Sequence, residues 1–143
     1  MSKRSGANSK SKPPDFFVFF LDRSLGKFKV AEALRSAGVL VRVHSDHFRE
    51  DEKDEVWLHD VGRRGWVVLA KDQAIRYNAI ERRALLSGGV RAFILTSGGL
   101  TGDEMAAIFQ NALPKMSRLL RKHQGPFIAR VTRGADVKIV DRR

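Results

Sequence analysis

Short, almost wholly apolar runs alternate with amphipathic segments along this chain, and that alternation limits the folds open to it. The runs are Phe16-Phe17-Val18-Phe19-Phe20-Leu21, Val39-Leu40-Val41-Arg42-Val43, Trp66-Val67-Val68-Leu69-Ala70 and Val90 to Leu95. Each is short, rich in β-branched and aromatic residues, and without the polar alternation of a strand with one wet face. Each therefore reads as a strand buried on both sides. Phe28 to Ala37 sets Val30, Ala31, Leu34 and Ala37 on one helical face before Gly38, the residue type that commonly ends a helix. Lys53 to Gly62 predicts a second helix, with Val56, Trp57 and Val61 inward. Gln73 to Leu86 predicts a third, with Ala74, Tyr77, Ile80 and Ala84 in one stripe and Gly88-Gly89 closing it. A long helix from about Thr101 to Lys122 follows the fourth strand, and Pro114 is expected to kink it by removing a backbone donor. Phe127 to Val131 and Val137 to Val140 read as extended segments of a terminal hairpin. Strands and helices alternating in this order predict an α/β fold, a mostly parallel sheet covered by helices on both faces.

Residues 1–14 are Ser, Lys, Gly, Asn and Pro in the main, with Lys3, Arg4, Lys10 and Lys12 and no acid. Such a segment buries too little apolar surface to offset its ordering entropy, so it is expected to be a disordered basic arm. Residues 15–143 then form one domain, as the length of 143 residues suggests. No apolar run nears the roughly 18–20 residues that span a bilayer, and no secretion signal opens the sequence. The chain has no cysteine, which excludes disulfides, thiolate zinc sites, iron–sulfur clusters and cysteine nucleophiles. The expected compartment is the cytoplasm.

Twenty-seven Lys and Arg against sixteen Asp and Glu give a net charge of +11, which points to a polyanionic partner. The acids are uneven: Asp46, Glu50, Asp51, Glu52, Asp54, Glu55 and Asp60 crowd one stretch and leave the rest still more basic. A basic surface with an acidic focus suits nucleic acid and a divalent cation together, or a basic domain with one solvated acidic loop.

In a parallel α/β sheet, functional groups gather beyond the carboxyl ends of the strands. The first strand delivers Asp22 there and the third delivers Asp72 through Lys71, while Asp54 opens the helix before the third strand. Converging carboxylates repel one another, so a divalent cation such as Mg2+ or Mn2+ is their natural companion. Read singly, Asp22 and Asp72 serve equally as turn or helix caps. His44-Ser45-Asp46-His47 echoes half of a metallo-hydrolase zinc motif, but Arg42 stands where a further ligand belongs; a polar loop explains it. Ser87-Gly88-Gly89 and Ser97-Gly98-Gly99 lack the Lys-Ser/Thr ending of a Walker loop and read as turns. The Met105 to Leu120 apolar stripe reads as core, part of it available to a second protomer.

FFLDRSLG with Asp22, KDEVWLHDVGRRGWVVLAKD with Asp54 and Asp72, Glu81 in IERRALL, and RAFILTSGGLTGDEM together resemble the PIN-like ribonucleases of the compact VapC-type toxin branch. The resemblance spans roughly residues 16–131. It implies a PIN-like three-layer sandwich with a mostly parallel four- to five-stranded sheet between helices. It also implies a Mg2+- or Mn2+-dependent endoribonuclease toxin that acts on RNA and is held by a cognate antitoxin, with a homodimer as a common form. Carried over by position, Asp22, Asp54 and Asp72 are the catalytic metal ligands and Glu81 a further acid, for which an ion pair with Arg82, Arg83 or Arg76 is the competing role. Arg63, Arg64, Lys71, Arg76, Arg82 and Arg83 flank these acids in sequence and are expected to guide RNA phosphates. The sequence departs from the family after the fourth strand, where Thr96-Ser97-Gly98-Gly99 replaces a common Asp or Asn and Asp103 reads as a helix-start residue. That departure favours one ion over two, and leaves a catalytically inactive RNA- or DNA-binding domain as the alternative reading. A third is a protein whose helical stripe serves chiefly an oligomer or the antitoxin.

Overall fold

The computed structural model describes residues 17–49, 51–71 and 79–142, apart from the side chains of residues 54, 55 and 79–81. The expected basic arm lies outside the described residues. In chain order the elements are β1 (Val18–Leu21), α1 (Lys29–Ser36), β2 (Leu40–Val43), α2 (Asp54–Arg64), β3 (Val67–Lys71), α3 (Ala79–Ser87), β4 (Arg91–Leu95), α4 (Gly102–Lys122), β5 (Phe127–Val131) and β6 (Val137–Arg142). Single 3-10 turns follow β1 at Arg23–Leu25 and β2 at His44–Asp46. The strands lie in the order β2-β1-β3-β4-β5-β6. All neighbours are parallel except β5 and β6. The sheet has six strands, beyond the four to five expected, because the terminal hairpin does not stand apart. β5 pairs in parallel with β4 and β6 completes the edge.

The apolar runs have no polar alternation because both sheet faces are covered. Phe19 and Leu21 enter a core shared with Val41, Leu69, Phe93 and the inward faces of α1 and α4. Phe20 points the other way, with Val68, Ala92 and Ile94, into a second core closed by Trp57, Leu58 and Val61 of α2 and Leu85 of α3. Trp57, Phe19, Phe20, Phe93 and Phe109 are fully buried.

Helix ends follow local chemistry. Thr101 caps α4: its hydroxyl accepts from the Glu104 amide at 3.1 Å while Glu104 Oε1 accepts from the Thr101 amide at 2.8 Å, a reciprocal capping box. Asp103 sits in that first turn, paired with Lys29 at 3.1 Å. The Thr101 hydrogen bonds hold the Glu104 carboxyl below the usual range. Thr101→Ala is expected to cost about 1 kcal/mol, read as a lower urea midpoint at unchanged m-value. α4 runs on through Pro114, an exposed residue, to Lys122.

Candidate active site at the carboxyl edge of the sheet

From β1 the chain moves to β2 on one side, then returns to β3 on the other side of β1. This reversal opens a crevice between the carboxyl ends of β1 and β3, the usual place for a ligand in an open parallel sheet. Asp22 is the residue that β1 delivers into it. The Asp22 amide donates to the carbonyl of Leu69 at 2.9 Å, extending the pairing with β3 by one bond. The residue is 4% exposed. Oδ2 accepts from the Ser24 amide at 3.0 Å and from the Ser24 hydroxyl at 2.6 Å. Ser24 Oγ in turn accepts from the Lys71 amide at 3.1 Å. Asp22 thus caps the 3-10 turn, as one reading of the sequence had it, and the same contacts lock its orientation. Both Ser24 donors, the amide and the hydroxyl, thus meet the same oxygen of this carboxylate, Oδ2.

Ser24 escaped the reading of the sequence. The Asp-x-Ser spacing of a side-chain-capped turn was a local signal for its bond to Asp22. Nothing local marks its bond to Lys71, across 47 residues. That bond matters because Lys71 is the last residue of β3 and immediately precedes Asp72. Asp72 and Arg76 lie outside the described residues, and so do the side chains of Asp54 and Glu81, whose backbones sit in α2 and α3. Among the described residues no group of three or more His, Cys, Asp or Glu side chains stands together as a metal cluster. After β4, the Thr96 amide donates to the Val131 carbonyl at 3.0 Å and its hydroxyl to the same oxygen at 3.4 Å, so Thr96 fastens β4 to β5.

A model of the PIN like domain matches residues 17–97 of the chain. The chain belongs to the PIN-like domain family. It is also 33% identical over 130 residues to "Putative ribonuclease VapC45" of Mycobacterium tuberculosis (strain ATCC 25618 / H37Rv), across 88% of this chain and 94% of that protein. No solved structure matches it. Ribonucleases of the PIN-like family generally use divalent metal ions, and the donor chemistry of Asp22 suits one. A buried carboxylate held in one orientation is a hard ligand for a hard cation.

Within this PIN-like domain the basic residues divide by edge. Lys71 ends β3 beside Asp22. Arg63 and Arg64 end α2, just before β3 begins, and so belong to the opposite edge of the sheet. The length of β3 separates the two edges by about 16 Å. There Arg63 and Arg64 pair with Asp60 at 3.1 and 3.0 Å. Arg82 of α3 pairs with Asp141 of β6, and Arg83 is exposed. Adjacency in sequence alone does not show this division, because α2 ends where β3 begins.

Desolvation raises the Asp60 pKa, but the hydrogen bonds and charges of Arg64 and Arg63 outweigh it, and the carboxyl lies below the usual range. A lowered folded-state value stabilises the protein above the unfolded pKa of about 3.9, and the contribution disappears as pH falls through the lower folded value. Asp60→Asn is therefore expected to cost up to about 1 kcal/mol at neutral pH. Urea titrations of both proteins should show the difference closing as the pH falls below the ordinary carboxylate range.

The zinc-like motif resolves as packing. The His44 ring is buried against Phe20, Phe48 and Trp57, with centroids 6.1, 5.6 and 5.3 Å away. Gly89 and Gly99 have φ of 76° and 69°, as turn glycines do. Among the described residues no helix is long and apolar enough to cross a membrane.

Proposed function

We propose that this chain is a metal-dependent endoribonuclease that hydrolyses RNA phosphodiester bonds, the toxin of a type II toxin–antitoxin pair, acting in the cytoplasm and restrained by its cognate antitoxin. The observation that carries the reading is Asp22, a buried carboxylate at the switch point of the sheet, joined through Ser24 to the residue before Asp72. The ribonuclease name of its relative supports the same reading.

Asp22, Asp72 and Asp54 would hold a Mg2+ or Mn2+ ion, with Glu81 as a further acid. When bound, the ion supplies Lewis acidity, activating water and offsetting charge on the phosphate. Ser24 fixes the Asp22 carboxylate in one orientation, so that no rearrangement is needed when substrate arrives. Lys71, Arg63, Arg64, Arg76, Arg82 and Arg83 would offer cations to the RNA backbone, Lys71 at the end of β3 next to Asp22. Ser24→Ala is expected to lower kcat by about 10- to 100-fold, as removal of a ligand's supporting hydrogen bond does, and Ser24→Thr to restore most of it.

Incubating the purified protein with RNA and Mg2+ or Mn2+ tests the proposal. Endonucleolytic products that vanish with EDTA are expected. Salt-sensitive RNA binding without any metal-dependent cleavage overturns it in favour of a binding domain.

A further inference from the structure

A second cavity, of about 220 Å3, opens one strand away from Asp22 and is lined by Arg23, Gly26, Lys27, Val43, His44 and Ser45. It lies between the exits of β1 and β2, which leave the sheet side by side with Leu21 in register with Val43. Its described lining includes two cationic residues, Arg23 and Lys27, with Ser45 beside them, and no acid. That chemistry suits an anion, and the volume exceeds what a lone phosphate needs. Arg23, which lines this cavity, follows Asp22 directly in the chain.

The next residue adds a second, independent observation. Phe28 is 69% exposed, more than any other large apolar side chain among the described residues. It also occupies the N-cap of α1, where no side chain supplies a cap hydrogen bond. Ser, Thr, Asp or Asn there would satisfy a helix amide, and Phe forgoes that while leaving an aromatic ring in water. A position that breaks two local rules at once is expected to serve function. Aromatic faces beside cations are how proteins hold single-stranded nucleic acid, with bases stacking on the ring and phosphates meeting the cations.

We infer that the loop from Arg23 to Phe28 is a subsite for one nucleotide of the RNA beside the scissile bond: Arg23 and Lys27 hold its phosphate and Phe28 stacks its base. This rests on the nuclease reading above.

Fluorescence anisotropy with a short oligoribonucleotide of mixed sequence in EDTA, where metal-dependent cleavage stops, tests the subsite independently of cleavage. The wild type, Phe28→Ala and an Arg23→Gln/Lys27→Gln double variant are compared between about 50 and 200 mM salt, each checked by circular dichroism for an intact fold. Phe28→Ala is expected to weaken binding about fivefold or more. The double variant is expected to reduce the slope of log affinity against log salt by about 0.7 for each phosphate contact removed. Affinity and slope unchanged in both variants overturn the subsite, and leave the nuclease reading standing if the wild type cleaves RNA. Wild-type binding without cleavage, with both variants impaired, supports the subsite and rejects the nuclease. A Phe28→Ala variant that binds RNA normally but shifts from dimer to monomer in light scattering assigns the ring to a second copy of the chain and overturns the proposal.

Discussion

Replacing Asp22 by Asn is expected to reduce metal-dependent RNA cleavage by at least about 10^3-fold, a loss of about 4 kcal/mol in the transition state, while barely moving the melting temperature. The two effects separate because the carboxylate does two things. Oδ2 accepts both Ser24 hydrogen bonds, and the amide oxygen of Asn accepts in the same way. The turn and its link to β3 therefore persist. What Asn loses is the negative charge on a buried group at the switch point, the property that a cation requires. Asp22→Ala removes the cap as well and is expected to cost about 1 kcal/mol of stability in addition. A purely structural Asp22 predicts the reverse ranking: Asn active, Ala impaired only in step with its lost stability. Initial cleavage rates and thermal melts on the three proteins decide between the two.

Gly62→Ala is expected to destabilise the protein by about 3 kcal/mol or more, a fall of about 10 °C in melting temperature for a domain of this size. A methyl group at Gly62 would lie 2.0 Å from the carbonyl oxygen of Gly88 and 2.9 Å from its carbon. Both contacts are with backbone, at the point where α2 presses on the end of α3, so no flexible side chain can swing aside. Relief requires the helices to part, and their neighbours Val61 and Val90 are fully buried, so parting them opens the core. Gly98→Ala provides the control, since its added carbon meets nothing within 4 Å. Equal melting temperatures for the two variants would mean that α2 and α3 do not approach as described.

The strands and helices were legible in the sequence because their signals are local. Phe19 and Phe20 face opposite cores, and only a run with no polar alternation serves a strand buried on both sides. Asp22 was legible for the same reason, as the first polar residue after such a run. Contacts between distant segments were not. The Ser24 bridge to Lys71 and the parallel pairing of β5 with β4 depend on how far-apart segments align, and no periodicity encodes that. Arg63 and Arg64 show the same limit: close to Asp72 along the chain, they end α2 where β3 begins, whereas Asp22 follows the carboxyl end of β1.

Crystals of the protein soaked in Mn2+ and measured at the manganese edge show whether Asp22 holds a metal ion. One anomalous peak is expected in the crevice between β1 and β3, bonded to the Asp22 and Asp72 carboxylates, and lost in Asp22→Asn. Full manganese occupancy elsewhere on the chain, with the Asp22 carboxylate touching only Ser24, would contradict it.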